Sequence, residues 1–180
     1  MPVHTRVLLL DEYRAACKAF AGGLGAIGDR WDAPTPAKEG SAGQVGDHVF
    51  ASHESLLLRP LHLSLHGSSD ERVGRWDAIV KALLPALESP GALDGRELLL
   101  GVLATDVLVH SWDLCRAADE TVALDPGLCQ TGYERALANR AVLEEAGAIE
   151  RHNAVPDDAP IQARLLALFG RNPDWCYPVS

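Results

Sequence analysis

The chain has 180 residues and a mass of 19.3 kDa, which suits a single domain over residues 1–180 with a core large enough to need no staples. Hydrophobic residues make up 47% and charged residues 23%, the balance of a globular protein, so wholesale disorder is excluded. With 25 acidic against 16 basic residues the net charge is -9, and no Lys/Arg cluster supplies the basic face that nucleic acid or an anionic membrane surface requires; both are excluded as partners.

In chain order, Leu9, Tyr13, Ala16, Phe20, Leu24 and Ile27 recur at three- and four-residue steps and predict a first helix, weakened in its second half by Gly22, Gly23 and Gly25. Trp31 to Gly43 is dense in proline and glycine and reads as a long loop. A second helix is expected from near Ser41 through His48 and His53 until Pro60 ends it. After a short loop at Gly67-Ser68-Ser69, Val73, Trp76, Ile79, Val80, Leu83, Leu84 and Leu87 draw a third helix, which Pro85 should kink or end early.

Asp94 followed by Glu97 has the form of a capping box, so a fourth helix should start there and run to about Ala118. Asp125-Pro126 is an N-cap followed by an N1 proline, opening a fifth helix expected to end near Gly147. Pro160 to Phe169 predicts a short last helix closed by Gly170. No clean period-two alternation appears, Ser64 to Gly67 being the nearest ambiguity. The expected fold is all-α: four long helices as a bundle, with a further helix and a short terminal helix packed on it.

Four cysteines, Cys17, Cys115, Cys129 and Cys176, are widely spaced and form no C-x-x-C pair, which argues against a zinc knuckle or a disulfide framework. The start has no signal-peptide pattern, and the longest apolar run, Leu98 to Ala104, is far short of the ~20 residues of a membrane span. The expectation is a soluble, reduced, cytoplasmic protein.

Among seven histidines, the pair that carries chemistry best is Asp106 and His110, four apart on one face of the fourth helix and set in an apolar segment. A carboxylate and an imidazole at that spacing can chelate one metal, and His48, central in the second helix, is the natural third ligand. Three N/O ligands with an open position describe a catalytic zinc-type site. The plain alternative is a simple hydrogen-bonded Asp–His pair at a helix seam. His62 and His66 are also four apart, and read either as a second chelating pair or as solvent-facing residues near a helix end; His53 is harder to place, and His4 and His152 look incidental. Asp113 can accept from the His110 ring or pair with Arg116. Cys17, Cys115 and Trp112 read as core. No nucleophile elbow, phosphate-binding loop or zincin motif is present.

At Pro34-Thr35-Pro36, Asp47-His48, Asp106 to Ala117 (DVLVHSWDLCRA) and Val155 to Pro173 (VPDDAPIQARLLALFGRNP), the chain resembles the actinobacterial metal-binding proteins related to the N-terminal domain of mycothiol-dependent maleylpyruvate isomerase, within the DinB-like four-helix bundle superfamily. The resemblance covers most of the chain. It implies a divalent metal held by a histidine of the second helix and an acid-x-x-x-His pair of a later one, which fall on His48, Asp106 and His110. The isomerase has glutamate where Asp106 stands. Relatives carry a pattern like T-P-C-x-E-W, whereas Ala37 and Gly40 here replace its cysteine and tryptophan, which predicts a roomier site.

The leading expectation is therefore a metal-dependent transferase or isomerase acting on a small electrophilic metabolite, with Asp106 and His110 at the catalytic centre. The metal would be zinc, with nickel or iron as alternatives, and the cofactor a mycothiol-type thiol. One alternative is a metal-free acid–base cyclase, isomerase or dehydratase using Asp106 and His110. The other is a non-catalytic metal-binding or interaction bundle that forms a homodimer through exposed helix faces.

Overall fold

The apolar periodicity resolves into seven α-helices in the computed structural model, which describes residues 3–38, 40–65, 71–149 and 153–178, with side chains from residue 6 onward. Among the described residues there is no strand; Pro34 and Ser41 form one isolated antiparallel bridge.

Helix α1 (Val3–Ile27) runs unbroken through the glycines that were expected to weaken it. A Cβ on Gly23 would stand 3.0 Å from the Leu114 Cβ and 3.1 Å from the Ser111 carbonyl oxygen, so this glycine lets α1 lie close against α4. Packing of that close face offsets the poor helix propensity of the glycine. Helix α2 (Ala42–His53) opens on a reciprocal capping box: the Gln44 N–H donates to Ser41 Oγ at 3.3 Å, and the Ser41 N–H to Gln44 Oε1 at 3.1 Å. It does not continue as α-helix to Pro60. A π-helical turn, Glu54–Leu58, follows His53, and His62 sits in the left-handed region at φ 55° in the turn beyond.

Helix α3 (Arg72–Glu88) continues through Pro85 to Glu88, so of the expected kink or early end the early end does not occur. The proline removes the N–H that would bond the Lys81 carbonyl, and buried Leu83 and Leu87 hold the helix on either side of it. The proposed cap at Asp94 is also corrected. Gly95, at φ 73°, turns the chain after Asp94, and α4 (Glu97–Ala117) starts from Arg96 without a side-chain cap. Asp125 does cap α5 (Pro126–Ala138), accepting from the Leu128 N–H at 2.9 Å. The expected single helix to Gly147 is broken at Asn139, whose side chain donates to the Arg135 carbonyl at 2.9 Å, and α6 (Arg140–Glu145) follows. Helix α7 (Ile161–Leu168) ends as expected, with Gly170 left-handed at φ 78°.

Helices α1 to α4 make the bundle, with α1 and α2 both lying on α4 and α3 closing against α1 and α2. Helix α5 packs on the flank of α4, and α7 on α5. At the centre Phe20 meets Trp76 edge-on with ring centroids 4.9 Å apart, and Phe50 stacks on the same indole at 6.1 Å. Each such fully buried ring stabilises the bundle by about 1.5–3 kcal/mol. By length and composition α4 is apolar enough to cross a membrane, but 78% of that stretch is buried inside the bundle, as befits a core helix. The C-terminal tail is pinned to the bundle as well, since Arg116 Nη2 donates to the Trp175 carbonyl at 2.8 Å. That anchoring brings the residues after α7 across α4, where the polar residues lie.

Candidate metal centre

Asp106 and His110 sit one turn apart on α4, and α2 brings His48 opposite them. One ligand atom from each of the three lies within 4.8 Å of the other two. The Asp106 Oδ1 is 3.5 Å from His110 Nε2, and the His48 and His110 ring centroids are 5.2 Å apart at 62°. The three differ in burial: His110 is buried, the Asp106 side chain is 26% exposed, and His48 is exposed. Tetrahedral ligands about 2.0–2.1 Å from zinc would stand about 3.3 Å apart, and Asp106 and His110 already lie near that spacing. The donor types and their spacing fit a divalent ion.

A second layer fixes the His110 ring. Its Nδ1 lies 2.9 Å from Asp113 Oδ2, and Asp113 is completely buried. Asp113 is in turn gripped by Arg171, whose Nη2 donates at 2.7 Å and whose Nε lies 3.2 Å and 3.3 Å from the two carboxylate oxygens. Arg171 Nη1 donates to the Phe169 carbonyl at 2.7 Å. With Nδ1–H committed to Asp113, the ring turns Nε2 toward Asp106 and His48, the arrangement that orients a metal-ligating imidazole.

The charges respond to one another. Burial disfavours the His110 cation, but the Asp106 carboxylate, its hydrogen bond and Asp113 outweigh burial and raise the group to about 9. Burial likewise pushes Asp106 up, and the His110 charge and hydrogen bond overcome this and bring it down to about 2. Asp113 is lowered, because Arg171 and then His110 more than offset its burial. Without metal, His110 is therefore an imidazolium shared between two carboxylates.

The triad faces a cavity of about 590 Å³ between α2, α4, α6 and the residues after α7. Lys38 lines its mouth, from the loop in which Ala37 is buried, and its Nζ donates to the Gly147 carbonyl at 3.4 Å. A larger groove of about 1040 Å³ runs along α1 and α4 on the other side, but none of its lining residues is a histidine.

The remaining histidines separate cleanly. His53 is a core residue: its Nδ1–H donates to the Val49 carbonyl at 2.8 Å, its ring lies beside Tyr13 and Trp76, and burial lowers its pKa. His62 is exposed in a turn and takes no part in the triad; the His4 side chain, His66 and His152 lie outside the described residues. Asp113 accepts from His110 rather than pairing with Arg116, which donates to the Glu120 and Trp175 carbonyls. Trp112, Cys17 and Cys115 are buried as expected. Sequence reasoning missed Arg171. Its signal was indirect: once Asp113 is buried, a cation must reach it, and the arginine just after the last helix is a natural source.

Two proteins of Mycobacterium tuberculosis, from strains CDC 1551 / Oshkosh and H37Rv and both named only as uncharacterized, are each 26% identical to the chain over 178 residues, covering 90% of this chain and 97% of each relative. No protein-family profile matches the chain. No solved structure matches it either.

Proposed function

We infer that the protein is a metal-dependent enzyme of the transferase or isomerase type, acting on a small electrophilic metabolite with a mycothiol-type thiol as co-substrate. The convergence of His48, Asp106 and His110 ligand atoms within 4.8 Å on the lining of an open cavity carries this reading. The motif resemblance to bundle proteins related to mycothiol-dependent maleylpyruvate isomerase supports the same three residues. When bound, a divalent ion, zinc foremost, supplies Lewis acidity that lowers the pKa of a thiol in its open position. His110 offers Nε2 because Asp113 holds its Nδ1–H, and Asp106 contributes the negative charge of the ligand set. The chain offers no thiol of its own here. None of the residues lining the cavity is a cysteine, and burial pushes Cys17 up to about 12 and Cys115 up to about 11. The nucleophilic sulfur in this reading comes from a small molecule.

A second reading keeps the pocket and drops the metal. It is favoured by the 3.5 Å approach of Asp106 to a charged His110, which can then donate a proton as general acid in a cyclase, isomerase or dehydratase reaction.

Elemental analysis of the purified protein beside His48→Ala and His110→Ala, with circular dichroism on all three, separates the two. Stoichiometric metal in the wild type, lost from both variants while the helical signal persists, is the expected result. Stoichiometric metal in either variant would overturn the triad, and a metal-free wild type would leave the acid–base reading.

A further inference from the structure

We propose that the cavity in front of the triad takes an anionic amphiphile: a single negatively charged head at the His48–Asp106–His110 end and a hydrocarbon body along α4. This deepens the proposed function and rests on it for the head group alone.

Leu98, Val102, Asp106 and His110 follow one another at four-residue steps, so they form one row on the cavity face of α4. The row changes chemistry halfway. One half carries the ligating groups and the other is branched aliphatic, beginning about 6–12 Å along the axis from Asp106. Leu56 from the π-helical turn and Val142 from α6 line the cavity too. Three of these side chains are large, apolar and left in solvent: Val142 is 57% exposed, Leu98 44% and Leu56 43%. Single exposed aliphatics are ordinary, but three converging on the mouth of one cavity form a patch. A volume of about 590 Å³ suits a metabolite-sized ligand.

The head-group charge follows from the site. Asp106, Asp113 and Arg171 sum to one negative charge, which a divalent ion held by neutral histidines would turn into one positive charge. An anion is the complementary partner for that end.

The test is calorimetric titration of the zinc-loaded protein with straight-chain alkanoates from acetate to decanoate. Affinity should rise about fourfold per added methylene until the chain outruns the cavity, from ~0.8 kcal/mol per buried CH₂. The double variant Leu98→Ser/Val142→Ser, altered only at half-exposed side chains, should bind octanoate roughly tenfold more weakly and acetate as before. Stoichiometric zinc with affinity independent of chain length, or octanoate binding unchanged in the double variant, overturns the proposal and leaves the metal reading standing. Failure to hold zinc, with chain-length dependence kept by the metal-free protein, removes the metal reading and supports the hydrocarbon site.

Discussion

Arg135 on α5 and Arg171 beyond α7 both reach α4 and both meet a carboxylate, yet the two clusters end in different states. Arg135 Nη1 donates to the Gly101 carbonyl at 2.9 Å and to Thr105 Oγ1 at 3.2 Å, while Nη2 donates to Glu12 at 2.6 Å. A Cβ on Gly101 would fall 2.4 Å from Arg135 Nε, so the guanidinium occupies the space of a missing side chain. The void that Arg135 itself lines is about 10 Å³, too small to admit a ligand, although Glu12 also borders the larger groove along α1 and α4. The Arg171 cluster spends its donors on Asp113 and Phe169, but it leaves the Nε2 edge of His110 and the Asp106 carboxylate facing a cavity of about 590 Å³. A buried charge by itself is a structural feature. A buried charge that orients a further polar atom into open space is a candidate site.

The sharpest way to break this comparison is to remove the arginine that holds the functional cluster together. In Arg171→Met, Asp113 keeps only His110 as a partner while remaining fully buried. Loss of one member of such a pair should destabilise the metal-free protein by about 3–5 kcal/mol, read as a lower denaturant midpoint. A loss below about 1 kcal/mol would mean that Asp113 does not depend on Arg171 for its charge, and the support assigned to His110 would fall with it.

Next in size is the response of metal binding to pH. His110 is raised to about 9 in the metal-free protein, so an ion must displace a proton from Nε2 throughout the neutral range. Apparent zinc affinity should climb about tenfold per pH unit between about pH 6 and about pH 8 and level off above about pH 9. Titration against a competing chelator at each pH measures it. Affinity that ignored pH over that span would show that His110 is not a ligand. The stability contributions run oppositely. The raised His110 group stabilises the fold fully below its ordinary 6.5 and less as pH rises through about 9. The depressed Asp106 group stabilises it above its ordinary 3.8 and less as pH falls through about 2.

Much of this was legible in the sequence because it depends on local spacing. Helical periodicity, the proline at Pro126 and the glycine at Gly170 mark real elements, and four-residue spacing puts Asp106 and His110 on one face. The misreadings share a cause: a local signal gave way to tertiary packing. Gly23 reads as a weak point until Leu114 lies against it, and Pro85 reads as a stop until buried leucines hold the turn. Asp94 reads as a cap until the left-handed Gly95 turns the chain beyond it. Arg171 left only the indirect signal of a buried Asp113 and Lys38 left none, since their roles come from chain segments distant from α4 in sequence.

The smallest expected effect tests whether the two arginine clusters are independent. Glu12 and Arg135 keep side-chain exposures of 21% and 17%, so water screens their attraction in part. In Glu12→Gln the amide oxygen still accepts from Arg135, and the guanidinium keeps its bonds to Gly101 and Thr105. The stability loss should therefore be about 1 kcal/mol or less. Zinc affinity should not move, because Thr105 belongs to the other cluster although it directly precedes Asp106 in the chain, and the two side chains leave α4 about 100° apart. If zinc affinity changed by more than about tenfold in this variant, the clusters would be coupled through the α4 backbone. The Arg135 network would then belong to the working site rather than to the scaffold.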